Sequence, residues 1–155
     1  MTTATIDHSP TEPRTSRSAQ RYIPMVARVL LGLVFFVFGV NGFLHFIPQP
    51  PPPAPAMAFF GALFATGYML PLIMGTQLLV GVLLLVNRFV PLALILIAPV
   101  IVNIVVFHIA LAPAGLPLAL IVLALELVLA WSYRGAFRLV LMARVVPQGV
   151  SGAGR

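Results

Sequence analysis

The chain predicts an all-α protein: a four-helix transmembrane bundle with a short interfacial helix after a Pro-rich external loop. Three observations lead there. Of 155 residues, 61% are hydrophobic and 8% are charged, where soluble domains carry about 25% charged residues. Four apolar stretches recur along the chain, each of roughly the 20 residues a helix needs to cross the hydrocarbon core. Nine basic residues, all Arg, can be placed on one side of a membrane. Only helices and closed barrels satisfy every backbone amide in lipid, and alternation of period two is absent, so helices are indicated.

Residues 1–24 are rich in Ser, Thr, Pro and Arg and have little to bury, which predicts a disordered cytoplasmic tail. The membrane domain covers 25–134, with spans at about 25–47, 67–86, 89–111 and 115–133. The first span outlasts the 7–15-residue apolar region of a secretion signal and ends in no clean cleavage site, so it is read as retained. The external loop opens with PQPPPPAPA, residues 48–56, which favours a polyproline II rod of about 3.1 Å per residue. Met57 to Ala65 is apolar but too short to span, and is predicted to lie in the outer interface, with Gly67 and Pro71 breaking it from the second span. Pro99 frees the Ile95 carbonyl in the third span, so a kink is expected. Residues 135–155 form a basic juxtamembrane tail, of which Ala136 to Val146 is predicted to run along the inner surface and SGAGR to be disordered.

Arg14, Arg17, Arg21 and Arg28 precede or open span one, Arg88 sits between spans two and three, and Arg134, Arg138, Arg144 and Arg155 follow span four. The loops at 48–66 and 112–114 hold no Arg. The positive-inside rule then places both termini in the cytoplasm. The net charge of +6 is thereby a topology signal and a contact for anionic lipid, and argues no nucleic-acid partner.

Absence of Cys removes thiolate chemistry, disulfide exchange and Cys-bound metals, and absence of Lys removes Schiff-base chemistry. There is no phosphate loop, dinucleotide fingerprint, HExxH or Ser/His/Asp set. No self-contained catalytic motif remains and no metal site is expected; at most the chain is a subunit of a membrane oxidoreductase complex.

Polar residues inside the spans are where chemistry would sit. Glu126, in LALELVLAW, is the only acidic residue after Glu12. A central acidic side chain costs about 2.5–3.5 kcal/mol, so it should face the bundle interior as the neutral acid. Counting about 1.5 Å per residue from the outer loops puts Gln77 and Glu126 near the midplane, Asn41 and Asn103 shallower, and His45 and His108 at the outer boundary. Gln77 is the expected partner of Glu126. The candidate ligand-binding set is therefore Asn41, Gln77, Asn103 and Glu126, with His45 and His108 as weaker members and Glu126 as the proton-handling candidate. A carboxyl that only joins two helices is an equal alternative for Glu126. A haem between His45 and His108 is geometrically conceivable, but interfacial imidazoles are the plainer reading. Gly32, Gly39 and Gly42 in the first span, with Gly75 and Gly81 in the second, would let those helices approach closely.

The stretch ARVLLGLVFFVFGVNGFLHF, followed by GYMLPLIMGTQLLVGVLLLVNRFVPLALILIAPVIVNIVVFHIALAPAGLPLALIVLALELVLAW, resembles the DoxX-like family of small four-helix bacterial membrane proteins over about residues 27–138. The resemblance rests on a first span ending in a polar Asn-Gly, on PVIVNIVVFH and on the Glu of span four. It implies a bacterial cytoplasmic-membrane location and association with redox complexes, since the family is named for subunits of thiosulfate:quinone oxidoreductase. Two departures stand out. Many relatives have Asn-Lys where this chain has Asn41-Gly42, and Glu where it has Gln77. Loss of a second carboxyl weakens an acid/base pair and favours hydrogen bonding. The leading expectation is an accessory or quinone-interacting component of a membrane redox system, working with a partner protein or as a homo-oligomer. A small-solute or proton-coupled transporter and a structural scaffold are the rivals.

Overall fold

The computed structural model describes residues 15–48, 50–140 and 142. They form six α-helices: α1 (Thr15–Leu44), α2 (Ala54–Ala65), α3 (Met69–Leu85), α4 (Val90–Ala110), α5 (Leu116–Ser132) and α6 (Arg134–Val140), with a 3-10 turn at Pro113–Gly115 before α5. No strand occurs among the described residues. Helix α1 starts at Thr15, well before the expected boundary near Met25, so residues 15–24 are helical where a disordered tail was predicted. The rest of that tail and the terminal SGAGR lie outside the described residues.

Helices α1, α3, α4 and α5 pack in a ring: α1 touches α3 and α5, and α4 touches α5 and α3. Their directions alternate. Arg28, Arg88, Arg134 and Arg138 therefore sit at one end of the bundle, and the Pro-rich loop and the 3-10 turn at the other. Three helices, Tyr22–Leu44, Val90–Ala110 and Pro113–Ser132, are long and apolar enough to cross a membrane; α2 and α3 together qualify as a fourth, bent by 94°. No more than 28% of any of these three spans is buried. Leu30, Leu33, Leu79, Leu92, Val102, Ile121 and Leu127 all stand exposed around the ring. An apolar exterior on this scale calls for lipid rather than water.

Local chemistry fixes the turns. The α3–α4 connection is a Schellman motif: Arg88 N–H donates to the Leu83 carbonyl at 3.0 Å, and Asn87 N–H to that of Leu84 at 3.2 Å. Asn87 takes the left-handed conformation at φ 55°, which Asn tolerates better than most residues. At the 94° corner Gly67 has φ +73°, and the Thr66 hydroxyl joins both sides, donating to the Leu63 carbonyl and accepting from Met69 N–H. Phe59 and Phe60 stack on Phe107 of α4 at 5.5 and 5.1 Å, so α2 lies across the loop end of the bundle.

The closest packing joins α1 to α3. A Cβ on Gly39 would meet the Leu78 backbone at 2.6–2.8 Å, and one on Gly81 would meet the Phe36 backbone. Gly32 and Gly42 face Leu84 and Met74 in the same seam, whereas Gly75 has nothing within 4 Å. The glycine seam is as the sequence predicts, except that Gly75 has no part in it. Below it, Ala27, Leu31 and Phe35 pack with Val80, Leu84, Leu94, Ile97, Ile101, Val122 and Leu129.

Candidate functional site

Glu126 faces inward on α5, between buried Val122 and Leu129 one turn to either side, and is 6% exposed. Its Oε2 is buried with no hydrogen-bond partner among the described residues. An unpartnered buried polar atom forfeits about 1–3 kcal/mol of desolvation, and is the kind of group that stability alone does not explain.

The expected pairing with Gln77 does not form. Gln77 is 7% exposed on α3, and α3 faces α5 across the diagonal of the ring. Asn41 on α1 is buried as well. Glu126 belongs elsewhere. Its neighbours Leu125, Leu127 and Val128 line grooves against Tyr22 to Ala27, about 20 Å along α1 from Asn41 at 1.5 Å per residue.

Asn41 has a local task. Its Oδ1 accepts the N–H of Ile47 at 2.7 Å, while its carbonyl accepts the N–H of His45 at 2.8 Å. His45 is left-handed at φ 50°, so this is the αL helix ending. The Asn41 side chain holds the chain as it leaves α1. Asn103 points out of the bundle, its side chain exposed, which removes it from any interior site. His45 is exposed at the end of α1, whereas half-buried His108 engages the Ala112 carbonyl through Nδ1 at 2.9 Å and packs against Gly115. The two imidazoles serve different helix ends.

Two shallow apolar grooves of about 400 and 440 Å³ run along the α1–α5 seam at the chain-termini end. Ile23, Pro24, Leu127, Val128, Trp131 and Ser132 line the first; Tyr22, Val26, Ala27 and Leu125 extend the second. Glu126 lines neither groove; its buried side chain turns to the bundle interior on the same helix. Sequence reasoning missed Arg28 as a cap. It is half-buried on α1, and its guanidinium donates to the Leu84 and Leu85 carbonyls, the latter at 3.4 Å. A cation on the carbonyl end of α3 satisfies groups the helix cannot and meets its dipole favourably. At the same end Arg134 lies over the Trp131 ring at 5.0 Å and Arg88 over Phe89 at 5.9 Å.

Comparison of the chain with family models, with curated proteins and with solved structures finds no match.

Proposed function

We propose that the chain is a four-span protein of the bacterial cytoplasmic membrane, with both termini inside. We further propose that it binds a quinone at the α1–α5 seam, as an accessory component of a membrane redox system. The observation that supports this most is the buried Oε2 of Glu126, which has no hydrogen-bond partner among the described residues and sits on the helix that also lines two apolar grooves. A quinone joins an isoprenoid tail, suited to such grooves, to a head whose oxygens hydrogen-bond. A neutral Glu126 donates to a quinone carbonyl, and an ionised one accepts from a quinol hydroxyl. The termini-end cluster of Arg28, Arg88, Arg134 and Arg138 supports the orientation. The resemblance to DoxX-like proteins points to the same class of work. Asn41 and Gln77 are buried polar residues on α1 and α3, and Asn103 falls outside the binding set.

The test is native mass spectrometry of the protein released gently from its host membrane, wild type beside Glu126→Leu. Retained quinone in the wild type and its absence in the variant support the reading; quinone absent from both, or present equally in both, refutes it. The break between α2 and α3 favours a second reading, since broken spans accompany transport sites. Proteoliposome uptake that vanishes in Glu126→Gln would select it. If these substitutions move thermal stability alone, Glu126 is structural.

A further inference from the structure

We infer that the outward face of α4 pairs with the same face of a second copy of this chain, with Asn103 meeting Asn103 at the two-fold axis. The inference rests on α4 lying in the membrane, and is independent of ligand binding at the α1–α5 seam.

Helix α4 carries a mean hydropathy of 2.8 over its span, yet it presents an amide to the outside. Asn103 is exposed and makes no side-chain hydrogen bond to another described residue. Burying such a group in hydrocarbon without a partner is unfavourable. Its neighbours form a pattern. Leu92, Leu96, Pro99, Asn103, Val106 and Ala110 are all exposed and follow one another at steps of four, three, four, three and four. That is the heptad spacing of a helix seam, with one Asn at a seam position, the device that fixes register and copy number in paired helices. A primary amide is both donor and acceptor, so two of them related by a two-fold axis satisfy each other. A purely apolar or lipid neighbour satisfies neither. Proline adds to the case: Pro99 brings no N–H to the Ile95 carbonyl on this face. The inward residues Ala93, Leu94, Ile97 and Ile101 are already packed in the core, so the outer stripe is free for a partner.

The chain lacks Cys, which allows a clean experiment. Val106→Cys, one turn from Asn103, is compared in native membranes with Leu30→Cys, exposed on α1 diagonally across the ring. Mild oxidation is expected to link Val106→Cys into a species of twice the 16.6 kDa chain mass, with Leu30→Cys remaining single. Adding Asn103→Leu, a change on the lipid side that leaves the core intact, should lower the linked fraction. Energy transfer between labelled copies in liposomes should show dimer affinity falling roughly 3- to 20-fold, the range for membrane interhelical hydrogen bonds. Equal linking at both positions, linking that survives Asn103→Leu unchanged, an adduct of any other mass, or no linking overturns the inference. Labelling of Val106→Cys by a membrane-impermeant maleimide overturns the embedding of α4 instead, without bearing on Glu126.

Discussion

Replacing Gly39 by Ala adds one methyl group in the tightest seam of the molecule. The new carbon would lie 2.6 Å from the Leu78 nitrogen and 2.8 Å from its Cα. Ordinary van der Waals contact begins near 3.4 Å, so the helices must separate by several tenths of an ångström. The obstacle is backbone, which cannot rotate aside. Overpacking of this kind costs about 1–3 kcal/mol. Separation would also loosen the contacts of Gly42 with Met74 and Gly81 with Phe36, which share the seam. Gly75 on α3 supplies the control, because a Cβ there meets nothing within 4 Å. Gly75→Ala should be neutral or stabilise by roughly 0.4–1 kcal/mol through loss of unfolded-state freedom. Reversible unfolding in mixed micelles, followed by far-UV circular dichroism, measures both variants against the parent. Gly39→Ala is expected to unfold at clearly lower denaturant and Gly75→Ala at the same or higher. Equal shifts for the two would refute the α1–α3 packing described here.

Other changes follow from single contacts. Arg28→Met keeps the apolar stem but removes the donor to the Leu84 and Leu85 carbonyls, so stability should drop by about 1–2 kcal/mol. Hydrogen exchange should rise first in the last turn of α3, and unchanged exchange there would dismiss the cap. Glu126→Leu removes an unpartnered buried oxygen and should raise stability by about 1–3 kcal/mol; a lower unfolding midpoint would mean that the carboxyl has a structural partner. A variant more stable yet unable to bind its ligand is the expected signature of a residue kept for function.

Much of the fold was legible in the sequence because the bilayer imposes length. The apolar runs gave the positions of α1, α3, α4 and α5, and Gly67 with Pro71 marked the corner before α3. The glycine seam was readable because only hydrogen at Gly39 and Gly81 permits backbone to touch backbone. Facing was not legible. Helix α4 is apolar on all sides except at Asn103 and His108, so its hydrophobic pattern does not tell that Ile97 and Ile101 turn inward and Asn103 outward. The pairing of Glu126 with Gln77 was also not legible, since α3 and α5 stand on opposite corners of the ring. Asn41 was taken for a ligand group because its backbone partner, Ile47, lies across a turn whose shape depends on the left-handed His45. Arg28 was read for its charge alone; its position one helix face from the α3 terminus is tertiary information.

The quinone reading turns on recognition of a quinone head by the Glu126 carboxyl. Its most direct test is the infrared difference spectrum of a ¹³C-carbonyl-labelled short-chain quinone bound to the protein in lipid nanodiscs, with wild type, Glu126→Leu and Asn103→Leu measured in parallel. A hydrogen-bond-shifted carbonyl band is expected in wild type and in Asn103→Leu and should disappear in Glu126→Leu. A shifted band that persists without the Glu126 carboxyl, or no bound quinone in the wild type, would contradict that reading.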